Sequence, residues 1–320
     1  MTMRPELLTV RKAASIHPAR LGATLYVPAT RGDLLAIALG HKYPSLRSVV
    51  FDLEDAVLPR DIGHAMANLA ALLLQLERSQ LLHGDRPLLF VRPRDAAMLA
   101  HLSALPGIAQ ITGFVIPKAT ADVMPAYISS LSCADHVIMP TIETREAFDS
   151  VEMRRLREQL IAIQDRVLAV RIGGNDLLQT LGCRRSTRRT AYDGLLGKII
   201  GNLVAGFVPW GFAMSAPVLE NFTDMAMLQD EIDQDIEHGL FTKTAIHPAQ
   251  VDMIHAAYMV DEAVHANAVQ ILDVNAPAIF ACDGIMSEPA THRAWARAVI
   301  ERADAFGVRK PEGPGLALVV

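Results

Sequence analysis

Eight short runs rich in β-branched and other apolar residues alternate with longer amphipathic stretches, and this alternation restricts the possible folds more than any other feature of the chain. The runs are TLYVP (24–28), SVVFDLED (48–55), PLLFVRP (87–93), TGFVIPK (112–118), HVIMPTIE (136–143), VLAVRIGG (167–174), GFVPWGFAMS (206–215) and TKTAIHP (242–248). Helical spacing is expected near 32–41, 61–82, 95–104, 121–132, 144–163, 188–204, 222–238 and 249–265. Strands separated by helices do not pair as hairpins; each crossover brings the chain back to the sheet in parallel. Nearly continuous apolar strands are what a parallel sheet buried on both faces needs. Eight such units over residues 24–265 predict an α/β fold, a (β/α)8 TIM barrel, which usually takes about 250 residues.

Residues 1–23 are then an N-terminal lead-in, and 266–320 a C-terminal helical extension and tail, with a helix expected over 290–306 and a loose end, PEGPGLALVV, from 311. With 51% apolar residues the chain can fill a sizeable core. Its net charge of −5 argues against a general attraction to nucleic acid or to an anionic membrane. The first 22 residues lack an apolar core of secretory length, and no stretch approaches the roughly 18 apolar residues of a membrane span, so a cytoplasmic protein is expected. Cys133, Cys183 and Cys282, odd in number and far apart, fit reduced, packed thiols. A mean hydropathy of +0.24 suggests apolar surface buried between subunits of a homo-oligomer.

Polar residues gather at the C-terminal ends of the strands, the end where such barrels hold their chemistry. Arg31 follows the first strand; Asp52, Glu54 and Asp55 end the second, Arg92 the third, Lys118 the fourth and Glu143 the fifth, and Asp176 follows the sixth. So many charges on one rim are costly unless they pair or bind a metal. Glu143 and Asp176, on neighbouring strands, are the pair expected to hold a divalent cation; the bland reading is a helix cap and a turn residue. Strand alternation points Asp52 and Glu54 one way and Asp55 the other, which leaves Asp55 free to pair with an arginine such as Arg31. Gly173 and Gly174 allow close backbone approach. His247, beside Pro248 on the eighth strand, reads as structural.

LYVPATR (25–31), FDLEDAV (51–57), FVRPR (90–94), FVIPK (114–118), TIET (141–144), RIGGNDL (171–177) and AIHPAQV (245–251) stand in an order and spacing that resembles the HpcH/HpaI aldolase and citrate lyase β-subunit superfamily, with weaker similarity in DGIMSEP (283–289). The resemblance implies a Mg²⁺ (or Mn²⁺) site, making or breaking of a carbon–carbon bond, and a trimer or hexamer. It makes Glu143 and Asp176 the metal carboxylates and Arg92 the grip on the carboxylate of a small oxo or hydroxy acid, free or as a phosphate or CoA ester; Arg31, at the end of the first strand, is read as a second hand on that carboxylate. Mg²⁺ takes hard oxygen ligands and keeps positions for water or substrate, so two protein carboxylates suffice. Asp52, Glu54 and Asp55 are candidates for orienting metal-bound water or taking a proton. Lys118 is a candidate substrate contact, set against the common case of a lysine reaching solvent.

The chain departs from the citrate lyase pattern after the sixth strand, where GGNDLLQTLGCRRSTRRTAYD (173–193) packs Arg184, Arg185, Arg188 and Arg189 into six positions. This run, with YDGLLGKII (192–200) and GFAMSAPVLE (211–220), resembles the branch found beside tellurium-resistance-type biosynthetic genes. Arg184 and Arg185 are read as a grip on a further anionic group, against the plainer reading of a solvated helix start. The expected activity is a Mg²⁺-dependent carbon–carbon lyase or aldolase. The alternatives are a metal-dependent thioesterase or hydrolase on the same barrel, and a non-catalytic metabolite-binding subunit of a biosynthetic assembly.

Overall fold

The structure, a computed structural model, describes residues 16–79, 86–282 and 284–310. The expected loose tail and most of the N-terminal lead-in lie outside the described residues. Eight parallel strands form the barrel: β1 (Ala23–Pro28), β2 (Ser48–Asp52), β3 (Leu88–Arg92), β4 (Gly113–Ile116), β5 (Val137–Ile142), β6 (Val170–Ile172), β7 (Met214–Ser215) and β8 (Lys243–Ala245). Each pairs with its chain neighbours and β1 pairs with β8; the bridge between Ala216 and Lys243 completes the ring. Around it lie α1 (Leu34–Ala38), α2 (Ile62–Arg78), α3 (Ala96–Ser103), α4 (Met124–Ser129), α5 (Ser150–Ile161), α6 (Gly174–Thr180), α7 (Leu195–Phe207), α8 (Met225–Glu237) and α9 (Ala249–Ala257), followed by α10 (Glu262–Leu272) and α11 (Pro289–Phe306). No helix among the described residues is long and apolar enough to cross a membrane.

Strand alternation divides the core into two layers. Val49, Phe51, Leu89, Val91, Ile138 and Val170 face the helices in one cluster. Val50, Phe90, Val115, Val137, Met139 and Ala169 form a second, inside the barrel. Helix starts are fixed locally, as where the Asp95 carboxylate accepts from Met98 N at 2.7 Å and that of Asp149 from Val151 N at 2.8 Å.

Three expected elements shift. The helix expected at 188–204 starts only at Leu195, because residues 183–194 form an irregular connection. It then runs on to Phe207 through the apolar period Leu196, Ile199, Ile200, Leu203 and Phe207, which carries it past Gly206. The expected strand at 206–215 thereby shrinks to Met214–Ser215, after a turn that ends at Gly211 with φ 86°. The helix expected at 249–265 divides at Val260–Asp261, which pair in parallel with Val308–Arg309 just after α11. Ala268 and Ile271 of α10 pack with Ala296, Val299 and Ala303 of α11 in a third cluster.

Candidate active site at the barrel mouth

Continuing the inward phase of the strands to their C-terminal ends turns the apolar interior polar. Val50 is followed by Asp52, Phe90 by Arg92, Met139 by Thr141 and Glu143, and Ala169 by Arg171 and Gly173. Asp52 and Arg92 are register partners on adjacent strands. Arg92 donates from Nε to Asp52 Oδ1 and from Nη2 to Oδ2, both at 2.6 Å. The same carboxylate accepts from the backbone of Glu54 at 3.0 Å and of Ala56 at 3.1 Å. All four of these donors fall on the one Asp52 carboxylate, which holds Arg92 in place. Burial works against the charge on Arg92, but the bond to Asp52 and the charges of Asp52, Tyr26 and Glu54 outweigh it and raise its pKa. The Nη1–Nη2 edge remains to face the mouth, with Nη1 2.9 Å from Glu54 Oε2 and 3.5 Å from Asp55 Oδ2.

Glu54 is buried and accepts a bond from Lys118 Nζ through Oε1. Burial raises its pKa, against the pull of Arg92 and Lys118. Asp55 is half exposed and lies near Arg92 and, at 3.8 Å, Lys118 Nζ. These are its partners, and the pairing with Arg31 does not form. Arg31 instead grips Asp33, from Nε at 2.8 Å and Nη2 at 2.6 Å, and Lys42 shares that carboxylate. A bond two residues along the loop outcompeted the distant one.

Glu143 is 4% exposed. Its Oε1 accepts from the backbone N–H of Lys118 at 2.7 Å, and no side-chain cation among the described residues bonds it. Lys118 is the one described non-glycine residue with positive φ, 49°, and this conformation presents its N–H to Glu143 while Nζ goes to Glu54. Burial lifts the Glu143 pKa to about 7, with the Lys118 N–H opposing and the charge of Asp176 adding to the rise. Asp176, in the first turn of α6, is raised as well, by burial and by the charge of Asp55. A Cβ on Gly173 would stand 2.4 Å from both Cβ and Oε2 of Glu143, so Gly173 makes room for that carboxylate. Gly174 is confined by Pro217 and Leu196 and serves packing.

These two acids suit a hard divalent cation. Both are unfavourable as bare anions, and neither forms an ion pair with a cation among the described residues. The described residues contain no group of three or more His, Cys, Asp or Glu able to hold a metal, so two carboxylates are what the protein offers. A transition metal that wants three or four nitrogen or sulfur ligands does not fit here.

The arginine run bonds none of these mouth residues among the described residues. Arg185 is tied to the carbonyl of Val218 and to buried Glu231, whose partner Lys243 also bonds Asp235 at 2.8 Å. Its Nη atoms therefore serve the fold and are not free to grip substrate, because an acid on α8 reaches them first. Arg184 is exposed and has no acid partner among the described residues.

Two site residues escaped the sequence reading. Tyr26 on β1 has the guanidinium of Arg92 5.2 Å and that of Arg171 5.4 Å from its ring centre. Its hydroxyl bonds no described residue and is not sealed in the core. Burial raises its pKa in spite of both guanidiniums, so it is a neutral O–H donor. Arg171 is fully buried inside the barrel and bonds only neutral groups, Thr244 Oγ1 at 2.6 Å, Thr24 Oγ1 at 3.4 Å and Met139 Sδ at 3.7 Å. An arginine in the middle of a buried parallel strand was the available signal, since such strands are otherwise apolar.

The eight-stranded parallel barrel with its polar mouth is a TIM barrel of the kind that carries enzymes, and the chain belongs to one family of them, the carbon–carbon bond lyases of the TIM-barrel fold, whose profile matches residues 15–308. It is 27% identical over 248 residues to a (3S)-malyl-CoA thioesterase of Cereibacter sphaeroides, which covers 77% of this chain and 79% of that one. Its fold is shared with protein CitE of Mycobacterium tuberculosis in complex with magnesium, acetoacetate and coenzyme A, at TM-score 0.64 and 23% identity over 89% of this chain and 99% of that one. It is shared too with a citrate lyase of Burkholderia xenovorans, at TM-score 0.69 and 18% identity over 93% and 97%.

Proposed function

We propose that this chain is a Mg²⁺-dependent lyase that cleaves a carbon–carbon bond in a small oxo or hydroxy acid, free or as a CoA thioester. The observation that carries the reading is Glu143: buried, lifted to about 7, and bonded by a backbone N–H alone while its neighbours Arg92 and Lys118 are engaged by Asp52 and Glu54. Glu143 and Asp176 would hold the cation, which when bound acts as a Lewis acid toward a carbonyl or carboxylate oxygen.

The chain's own groups supply the rest. The Nη1–Nη2 edge of Arg92, held in place by Asp52 and with Nη1 also beside Glu54, is the planar fork that would meet the substrate carboxylate. Asp55 takes the proton of a substrate hydroxyl: it is half exposed and not saturated by backbone donors, whereas Asp52 carries four donors and Glu54 is tied to Lys118. As that proton leaves, the C–C bond breaks, its electron pair passes to the enolate fragment, and the other fragment keeps the new carbonyl. Tyr26 O–H faces the same space as a neutral hydrogen-bond donor.

The relative from Cereibacter sphaeroides favours a second reading, hydrolysis of a thioester on the same residues. Incubation with Mg²⁺ and a panel of malyl, citramalyl and related CoA thioesters and free acids separates the two. A new aldehyde, ketone or oxo acid supports lysis, and a free hydroxy acid plus thiol supports hydrolysis. Binding of the panel with no turnover, or turnover that persists in Glu143→Gln, overturns both.

A further inference from the structure

The irregular connection between α6 and α7, with the first turn of α7, encloses a cavity of ≈ 260 Å³ that the lyase reading does not use. Arg184 and Arg189 line it, and neither meets an acid among the described residues. Arg185 lines it from behind, 5% exposed in its side chain; its Nη atoms are spent on Val218 and Glu231, while its buried Nε has no partner. The cavity also receives the start of α7, a helix of 13 residues whose N-cap is Gly194, with no side-chain cap. The N–H groups of Leu195 and Leu196 are therefore left at the positive end of the helix dipole, both at the cavity wall.

One acid faces the same space. Asp193 Oδ2 accepts from Thr190 N at 3.2 Å and Thr190 Oγ1 at 3.1 Å and is turned to that loop. Glu231 is neutralised by Arg185 and Lys243. Two exposed guanidiniums thus face the cavity against the one carboxylate of Asp193, a local positive excess in a protein of net charge −5.

We propose that this cavity binds a phosphate group. A phosphate has several acceptor oxygens pointing in different directions, and here two arginine forks and a helix N-terminus approach one space from different elements. A planar carboxylate would use one fork and leave the rest idle. The phosphate belongs either to free inorganic phosphate or to a larger phosphorylated compound such as the tail of a thioester substrate. Leu178 at the cavity and Asp176 at the barrel mouth lie two positions apart on α6, so the site stands on the far side of the helix that bears the second carboxylate. The inference does not depend on the lyase reading.

Calorimetric titration of the full chain with inorganic phosphate, with coenzyme A and with phosphate-free pantetheine tests it. Expected are salt-sensitive binding of phosphate or coenzyme A and no binding of pantetheine, with affinity falling about tenfold or more in the double variant Arg184→Ala, Arg189→Ala. The two side chains are exposed and unpaired, so the variant should keep the wild-type melting temperature, and Glu143→Gln should leave phosphate affinity unchanged. Competition between phosphate and coenzyme A assigns the site to a substrate tail, and binding of phosphate alone assigns it to the free ion. Unchanged affinity in the double variant, or no binding of either phosphate compound to the wild type, overturns the proposal.

Discussion

Arg92 and Asp52 meet edge to edge across β2 and β3, with two bonds of 2.6 Å between side chains that are register partners 40 residues apart in sequence. The pair makes Arg92 a fixed fork, with its Nε–Nη2 edge on Asp52 and its Nη1 beside Glu54 and Asp55. Asp52→Asn removes the charge and half the acceptor geometry while Arg92 stays buried. Breaking such a pair from one side costs about 3 kcal/mol or more. The expected outcome in urea denaturation is a loss of that order, together with weakened binding of oxo acids. An unchanged denaturation midpoint would show that Arg92 finds other partners.

Glu143 sets a pH dependence whose sign follows from its pKa. Burial lifts it to about 7, above the 4.5 of an unperturbed glutamate, so the unfolded chain releases the proton first as pH rises. The stabilising contribution is therefore complete below about 4.5 and is lost as pH rises through 7; its size is on the order of 3 kcal/mol. Asp176 is shifted in the same direction. In EDTA the midpoint should fall between about pH 5 and about pH 8, and Glu143→Gln should flatten the profile. Because a cation needs the ionised form, added Mg²⁺ should stabilise more at the alkaline end. Equal stabilisation at both ends contradicts this assignment.

The barrel was legible because two periods alternate down the chain, and the mouth because strand alternation leads from Val50 to Asp52, Phe90 to Arg92 and Met139 to Glu143. What stayed hidden depended on partners distant in sequence or on competition between them. The grip of Glu231 on Arg185 spans 46 residues, and nothing near either position announces it. Arg31 was lost to a rival only two residues away, Asp33, which the sequence did display. Tyr26 passed as strand filler because its ring fits an apolar alternation; only the folded barrel puts Arg92 and Arg171 beside it. The seventh strand is expected too long because the apolar stripe of α7 continues to Phe207 and takes the first residues of the run.

Gly173→Ala tests the room around Glu143, the carboxylate proposed to hold the cation. The backbone of Gly173 has φ −85°, which alanine adopts without strain, so the only obstacle is the added methyl, 2.4 Å from Glu143 Cβ and Oε2. Oε2 can swing aside, but Cβ is tied to the strand, so the carboxylate must move and the end of β5 or β6 must shift slightly with it. Mg²⁺ affinity should fall about 10- to 100-fold, the range seen when supports of metal ligands are altered, with circular dichroism unchanged. Wild-type affinity in this variant would mean that Glu143 does not bind the ion in the position described.

Tyr26→Phe separates the ring from its hydroxyl. The ring fills the barrel between two guanidiniums and stays in the variant, so stability should change by less than about 1 kcal/mol. The hydroxyl, which no described residue engages, is deleted. If it donates to charge that develops on the substrate, kcat should fall about 10-fold or more while KM moves little, since one such donor counts most when the oxygen it faces becomes anionic. Arg171→Met would act differently: it removes the buried cation beside the ring, together with the bonds to Thr24 and Thr244, so stability and kcat should both respond. Full turnover in Tyr26→Phe would reduce the residue to packing and leave the work of the mouth to Arg92, Asp55 and the two metal carboxylates.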